Sequence, residues 1–146
     1  MEIMMEMRRI EYGSQDYETT LDLRNEIFRK TQGLNLRDED LSREALCDMF
    51  AGFIGDKIIA TIFLAKIDEE MARIKAVMIL EEYRGTGLGK FIMNYAENAA
   101  RNQGYKYIKL LSRMSAETFY EKLGYKRVSE PVDYYQVAHV SMIKEL

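Results

Sequence analysis

The segment Tyr83-Arg84-Gly85-Thr86-Gly87-Leu88-Gly89-Lys90 divides the chain into two kinds of pattern. Before it lie three runs rich in Ile, Val and Phe, at 49–54, 57–67 and 72–80, separated by short turns and readable as strands. After it, Leu88, Ile92, Tyr95, Ala96 and Ala99 recur at the spacing of an amphipathic helix. The segment is therefore a strand-to-helix turn. Gly85, Gly87 and Gly89 remove the Cβ atoms at alternate positions, so backbone N–H groups can come close to a ligand. N–H groups at the start of a helix lack partners and sit at the positive end of its dipole, which suits an anion, most naturally a phosphate. Arg84 and Lys90 add two formal positive charges.

Spacing narrows the choice of phosphate ligand. A P-loop of the form G-x-x-x-x-G-K-[ST] needs Gly at position 84 and Ser or Thr at position 91, where this chain has Arg84 and Phe91. A dinucleotide fingerprint beginning at Gly85 needs Gly at position 90, which is Lys90, and strands running as an antiparallel meander are the wrong approach to a first βαβ unit. What remains is R-x-x-G-x-G, carried by Arg84, Gly87 and Gly89.

Working outward, residues 3–10 read as a first strand. Gly13-Ser14-Gln15-Asp16 supplies the turn and cap for a helix over 17–29, with Thr20, Leu21, Leu23, Ile27 and Phe28 on its buried side and Gly33 at its end. A short second helix is expected over 38–46, capped by Asp40, with Leu41, Ala45 and Leu46 on one side. Gly55-Asp56 is a hairpin signal, and Asp68-Glu69-Glu70 turns the next pair. Gly104 closes the long helix, a strand follows at 107–111, Ser115 caps a short helix that runs to Lys122 and stops at Gly124, and strands at 125–128 and 137–143 finish the chain. The order β-α-β-β-β-α-β-α-β-β specifies an α/β fold with a mixed sheet and helices on its faces.

The 146 residues suit a single domain, 1–146, since domains average about 150 residues. With 21 basic and 24 acidic residues the net charge is −3, which argues against nucleic acid and anionic membrane as partners. One His and one Cys exclude a zinc site built from Cys and His clusters, and no metal is expected. The longest apolar stretch, 58–65, is far short of the roughly 20 residues that span a membrane. The acidic N-terminus lacks the pattern of an export signal, and Cys47 has no partner for a disulfide, so a cytoplasmic location is expected.

A second block, Ala116-Glu117-Thr118-Phe119-Tyr120-Glu121-Lys122-Leu123-Gly124-Tyr125, joins the first in order around a strand and a helix. Together they resemble the GNAT family of acetyl-CoA-dependent N-acetyltransferases, with its R-x-x-G-x-G and A-x-x-F-Y-x-K-x-G-F motifs. Leu23-Arg24-Asn25-Glu26-Ile27-Phe28 and His139-Val140-Ser141-Met142 are similar to a bacterial subgroup of small members. The resemblance implies a GNAT-like fold, a central mixed and mostly antiparallel sheet flanked by α-helices. It implies that the strand ending at Leu80 and the strand from Tyr107 splay apart to admit the pantetheine arm of acetyl-CoA. Main-chain groups near Ile79 would bond that arm and polarise the thioester carbonyl. The pyrophosphate would rest on the N–H groups of Gly85, Thr86, Gly87, Leu88, Gly89 and Lys90, beside Arg84, with Phe119 also at the cofactor. Tyr120 stands at the family's general-acid position, where it would give a proton to the leaving thiolate as a neutral amine attacks the thioester directly. The same resemblance offers Arg24, Glu26, Arg113 and His139 as acceptor-site residues, and a homodimer as the assembly.

Some residues depart from the pattern or carry more than one reading. Glu81 stands where the family often has Pro, and Arg113 where many relatives have Asn. Glu26 and His139 are candidates for the general base, and a water relay is an equal alternative. His139 also reads as a packed strand residue, Cys47 as a buried inert thiol, and Tyr134 and Tyr135 as cleft, dimer or ordinary strand residues. A polyamine, an amino acid, an antibiotic and a protein amine all remain open as acceptors, with the acidic remainder of the chain favouring a cationic one. The rival function is a non-catalytic acyl-CoA-binding or regulatory module on the same scaffold.

Overall fold

A computed structural model describes residues 4–146. The chain begins with β1 (Glu6–Ile10) and enters α1 (Gln15–Phe28) through Ser14, whose Oγ accepts from Tyr17 N at 3.1 Å. Next come β2 (Asp48–Ile54), β3 (Lys57–Lys66) and β4 (Met71–Ile79), then α2 (Leu88–Asn102) and β5 (Tyr107–Arg113). After α3 (Glu117–Lys122) the chain closes with β6 (Lys126–Arg127), β7 (Val132–Tyr134) and β8 (Val137–Glu145). The eight strands form one sheet in the order β1-β2-β3-β4-β5-β8-β6, with β7 paired to β8. Every pairing is antiparallel except that of β4 with β5. This is the expected α/β architecture. Among the described residues, no helix is long and apolar enough to cross a membrane.

The sheet is apolar on both faces, and each face carries its own core. Tyr17 and Leu21 of α1 pack with Ile10, Met49, Phe53 and Phe63 on one side. On the other, Ile92, Met93, Ala96 and Ala100 of α2 pack against Ile59, Ile62, Ile74 and Ile108. Strands covered on both sides read as near-continuous hydrophobic runs, which is why 57–64 shows no clean alternation.

The parallel pair is short. Met71, Ala72 and Arg73 register with Tyr107, Ile108 and Lys109, and beyond those residues β4 and β5 continue unpaired with each other. A bulge accompanies the divergence: the β3–β4 register shifts between Thr61 and Phe63, and Ala76 adopts φ 53°. The buried Thr61 hydroxyl pins the bulge by donating to Ala76 O at 2.8 Å.

Several expected elements change form. The first strand starts at Glu6, and Ile3 of its expected range lies outside the described residues. In place of one helix over 38–46 there are two single 3-10 turns, Leu36–Asp38 and Ser42–Leu46. Asp40 is not the cap of the second turn: its carboxylate accepts from Ser42 N at 3.0 Å, but the capping position is Leu41, which makes no side-chain cap bond. The expected burial is inverted, with Leu46 85% exposed and Glu44 3% exposed. Glu44 turns inward because Arg24 and Tyr17 bond it there, and those bonds outweigh the local apolar pattern. Ser115 caps nothing: α3 emerges directly from a 3-10 turn over Met114–Ala116 without a side-chain cap. Strand β7 is additional to the expected order. Its turn into β8 uses Tyr135 and Gln136 at φ 51° and 68°, positions that usually announce themselves as Gly or Asn.

Behind the sheet, Glu97 is buried and its charge is fully occupied. Tyr125 Oη donates to Glu97 Oε2 at 2.7 Å and Lys144 Nζ donates to Glu97 Oε1 at 2.8 Å. Burial, followed by the neighbouring carboxylate, pushes the Tyr125 phenol well above its ordinary range, so it stays protonated and donating. Removing Lys144 leaves the buried carboxylate with only Tyr125 and the more distant Arg101, at 3.9 Å, to offset its charge. Lys144→Met is therefore expected to lower the unfolding free energy by about 3 kcal/mol, read as a reduced urea midpoint at unchanged m-value.

Candidate active site

The opening between β4 and β5 exposes main chain that a continuous sheet would consume. Leu80 N donates to Ile59 O at 2.9 Å. Antiparallel ladders alternate the direction of successive residues, so Ile79 N–H and C=O point away from β3 and toward the opening. Arg84 folds back to this point, its Nε donating to Ile79 O at 3.0 Å. That bond ties the glycine loop to the end of β4 and leaves the two terminal nitrogens of Arg84 projecting from it.

The loop itself is built from two left-handed glycines, Gly85 at φ 75° and Gly87 at φ 83°, where any side chain would be strained. Thr86 Oγ donates to Tyr83 O at 2.6 Å and tightens the turn. The first bond of α2 runs from Phe91 N to Gly87 O at 3.1 Å, so the N–H groups of Leu88, Gly89 and Lys90 precede the helical ladder. Gly89 is needed for a different reason from the other two. A Cβ there would lie 3.1 Å from Phe119 Cζ and 3.7 Å from Ile79 Cδ1. The loop, the end of β4 and the second sequence block therefore meet at one place.

Tyr120 adjoins that meeting point. Its ring packs edge-on against Phe119 at 5.1 Å and Tyr125 at 6.0 Å, and only 9% of the residue is exposed. Burial pushes its phenol up to about 12. Among the described residues no group bonds its hydroxyl, which is left for whatever occupies the opening.

From Tyr120 a cleft of about 460 Å³ runs across the α1 face of the sheet. Ala76 and Val77 of β4, Leu111 and Arg113 of β5, and His139 of β8 line it. His139 stands opposite Arg113 in the β5–β8 register, and its Nδ1 lies 2.7 Å from Val137 O. The wall is made by α1 and the segment after it. Arg24, 4% exposed, forms a double bond pattern with Glu44, from Nη1 at 3.0 Å and from Nη2 at 2.5 Å, and Tyr17 Oη donates to the same carboxylate at 2.6 Å. Tyr134 and Tyr135 close the far end. Tyr135 Oη donates to Glu39 Oε1 at 2.9 Å, Arg29 Nε donates to Glu39 Oε2 at 2.6 Å, and the Arg29 guanidinium lies over the Tyr135 ring at 3.8 Å. Burial alone would raise the Glu39 carboxyl, but the bonds from Arg29 and Tyr135 prevail and hold it below the usual range.

Among the residues singled out from sequence, Phe119 and Ile79 both lie against the open side of Gly89, with Arg84 bonded to Ile79 O. Arg24, Arg113, Tyr120 and His139 share the cleft. Glu26 does not join them; it lies exposed on α1 and pairs with Lys30 at 3.1 Å. The cleft also uses Glu39, Glu44 and Lys75, which no sequence signal singled out, because each reads locally as an ordinary surface charge.

The opened sheet, a glycine loop at its split and a buried tyrosine beside it form the candidate active site. The acetyltransferase (GNAT) domain model matches residues 38–146. A Bacillus subtilis (strain 168) protein that carries the provisional name of an acetyltransferase is 30% identical over 136 residues, covering 91% of this chain and 92% of the relative. The chain belongs to the GNAT acetyltransferase family. Its fold is shared with Escherichia coli ElaA, at TM-score 0.81 and 23% identity over 97% of this chain and 100% of that one. A GNAT family acetyltransferase from Elizabethkingia anophelis, solved with acetyl-CoA bound, superposes at TM-score 0.72 and 18% identity over 97% of this chain and 98% of that one.

Two consequences are testable. Gly89→Ala must displace the Phe119 ring, so acetyl-CoA affinity measured by calorimetry is expected to fall about tenfold, in line with overpacking penalties of ~1–3 kcal/mol. A phenol with a pKa of about 12 stays almost wholly protonated at pH 10. The ratio of wild-type to Tyr120→Phe kcat should therefore be flat from pH 7 to about pH 10; a decline centred near the ordinary tyrosine value of ~10 would contradict the assignment.

Proposed function

We propose that this protein transfers the acetyl group of acetyl-CoA to a primary amine by direct attack of the amine on the thioester. The observation that carries the reading is the placement of Phe119 and Ile79 against the open side of Gly89 at the open end of β4, with Tyr120 adjoining it.

The fit to acetyl-CoA follows from the donor set. A pyrophosphate needs several N–H donors and no nearby side chain, and the turn from Gly85 to Lys90 offers both, with Arg84 and Lys90 adding charge. A pantetheine arm carries peptide-like amides, and the free edge of β4 beyond Arg73 provides unpaired main-chain groups of the same kind. Acetyl-CoA supplies the activated acetyl thioester when bound.

The chain's own groups have simple tasks. Ile79 N–H, aimed at the opening, donates to the developing negative charge on the acetyl oxygen; a fixed donor of this kind contributes about 3 kcal/mol in a transition state. Tyr120 holds a proton for the departing thiolate. Because a thiol with a pKa near ~8.5 leaves reasonably well unaided, this help accelerates the reaction without being indispensable. The acceptor amine must arrive neutral. His139 lines the same cleft as Tyr120 and would assist, directly or through water; Glu26, exposed on α1 and paired with Lys30, does not line it.

CoA release in the presence of an amine panel tests the activity itself: acetyl-CoA binding with no turnover by any amine would support a binding module instead. Tyr120→Phe should lower kcat about ten- to a thousandfold with acetyl-CoA affinity nearly unchanged. Arg84→Glu removes the bond to Ile79 O and places a negative charge at the loop, so it should chiefly weaken acetyl-CoA binding in calorimetry. Equal affinity in that variant would show that the loop does not hold the phosphates.

A further inference from the structure

The cleft has the opposite charge balance from the chain. The whole sequence sums to −3. Six arginine and lysine side chains line the cleft, against three carboxylates. Two of those carboxylates are already engaged, Glu44 with Arg24 and Glu39 with Arg29. The third, Asp40, is turned to its own loop and accepts from Ser42 N and Oγ. Four cations remain, Arg43, Arg73, Lys75 and Arg113, and among the described residues none of them takes part in an ion pair. Lys75 and Arg113 stand half-buried on the two strands that diverge. Lys75 registers with Phe63 and Arg113 with His139, which sets both on the α1 face of the sheet.

A second observation points the same way. Arg24 also lines the cleft, and its Nε is buried without any acceptor while its other two nitrogens are held by Glu44. A buried donor left unpaired is costly, so the Arg24–Glu44 pair leaves the wall of the cleft with donor capacity that Glu44 does not use up. A doubly cationic chain such as a polyamine meets three excess positive charges in this cleft. The net charge of the chain favours a cationic acceptor, and the local balance of the cleft favours an anionic group.

We propose that the acceptor is a small amine that also carries an oxyanion group, a carboxylate or a phosphate, held by Lys75 and Arg113 with its amine directed toward Tyr120. The volume of about 460 Å³ suits a ligand of amino-acid or dipeptide scale, not a folded protein surface. The aromatic end formed by Tyr134 and Tyr135 leaves room for an apolar portion. This assignment rests on the acetyltransferase reading for its direction, but the anion site can be measured without turnover.

The test compares matched amines by calorimetry on the free and CoA-saturated protein. L-Lysine against cadaverine and L-phenylalanine against phenethylamine differ only by a carboxylate; O-phosphoethanolamine against ethanolamine differs only by a phosphate. The anion-bearing member of at least one kind of pair should bind about tenfold tighter or better, as a charge-assisted bond to a half-buried cation allows. Which kind of pair separates identifies the anion. Lys75→Met and Arg113→Met should each erase most of that preference, and Lys75→Arg should keep it, while acetyl-CoA affinity stays at the wild-type value in all three. Equal or tighter binding by the anion-free members, absence of binding by every anion-bearing member, or a loss of acetyl-CoA affinity in the variants with the pair ratios intact would each overturn the proposal. Failure of acetyl-CoA to bind the wild-type protein would instead count against the acetyltransferase reading, and the pair ratios on the free protein would still decide the anion site.

Discussion

The early end of the β4–β5 pairing is the constraint on which the rest of the molecule depends. Three residue pairs hold the strands together, and beyond them each runs on with one edge unsatisfied. A buried backbone group without a partner costs about 1–3 kcal/mol, so an open seam persists only if water or a ligand satisfies it. The bulge at Ala76, pinned by Thr61, turns β4 away from β5, and the bond from Arg84 to Ile79 O occupies one exposed carbonyl and anchors the loop. The glycine loop, the seam and Tyr120 thus lie together at a single interruption in the sheet.

The cleft beyond the seam is held open by charges arranged around arginines. Arg24 and Arg29 each spend a guanidinium on a carboxylate that the segment after α1 brings inward, Glu44 and Glu39. These pairs carry a desolvation cost, and hydrophobic replacements of similar volume can match them in stability. Their value here is in position. Arg24 locks the irregular segment against α1, while Arg29 and Glu39 receive Tyr135 and fix the β7–β8 turn over the far end of the cleft. A segment with little regular structure becomes a defined wall because its carboxylates have fixed destinations.

Much of this was legible in the residues. The strand runs, the loop from Arg84 to Lys90 and the Phe119-Tyr120 block specified most of the element order and the region of the candidate site, since glycine spacing and periodicity are local properties. The irregular segment was not legible. Leu41, Ala45 and Leu46 have helical spacing, yet Glu44 is the residue that turns inward, drawn by Arg24 and Tyr17 across 20 and 27 positions of sequence. Strand β7 was equally hidden, because Tyr135 and Gln136 take left-handed conformations without the residue types that signal them.

The sequence by itself pointed to the class of protein, because the two motif blocks at 84–89 and 116–125 and the order of strands depend on residues close together in the chain. Tertiary structure decided which side chains line the cleft. A net charge of −3 describes the whole surface, while the cleft collects six cations from α1, from the segment after it and from two separate strands. Coulomb interactions are screened over about 8–10 Å at physiological salt, so a ligand responds to the charges around it and not to their total over the chain. Only the folding of distant segments onto one face of the sheet could create that local sign.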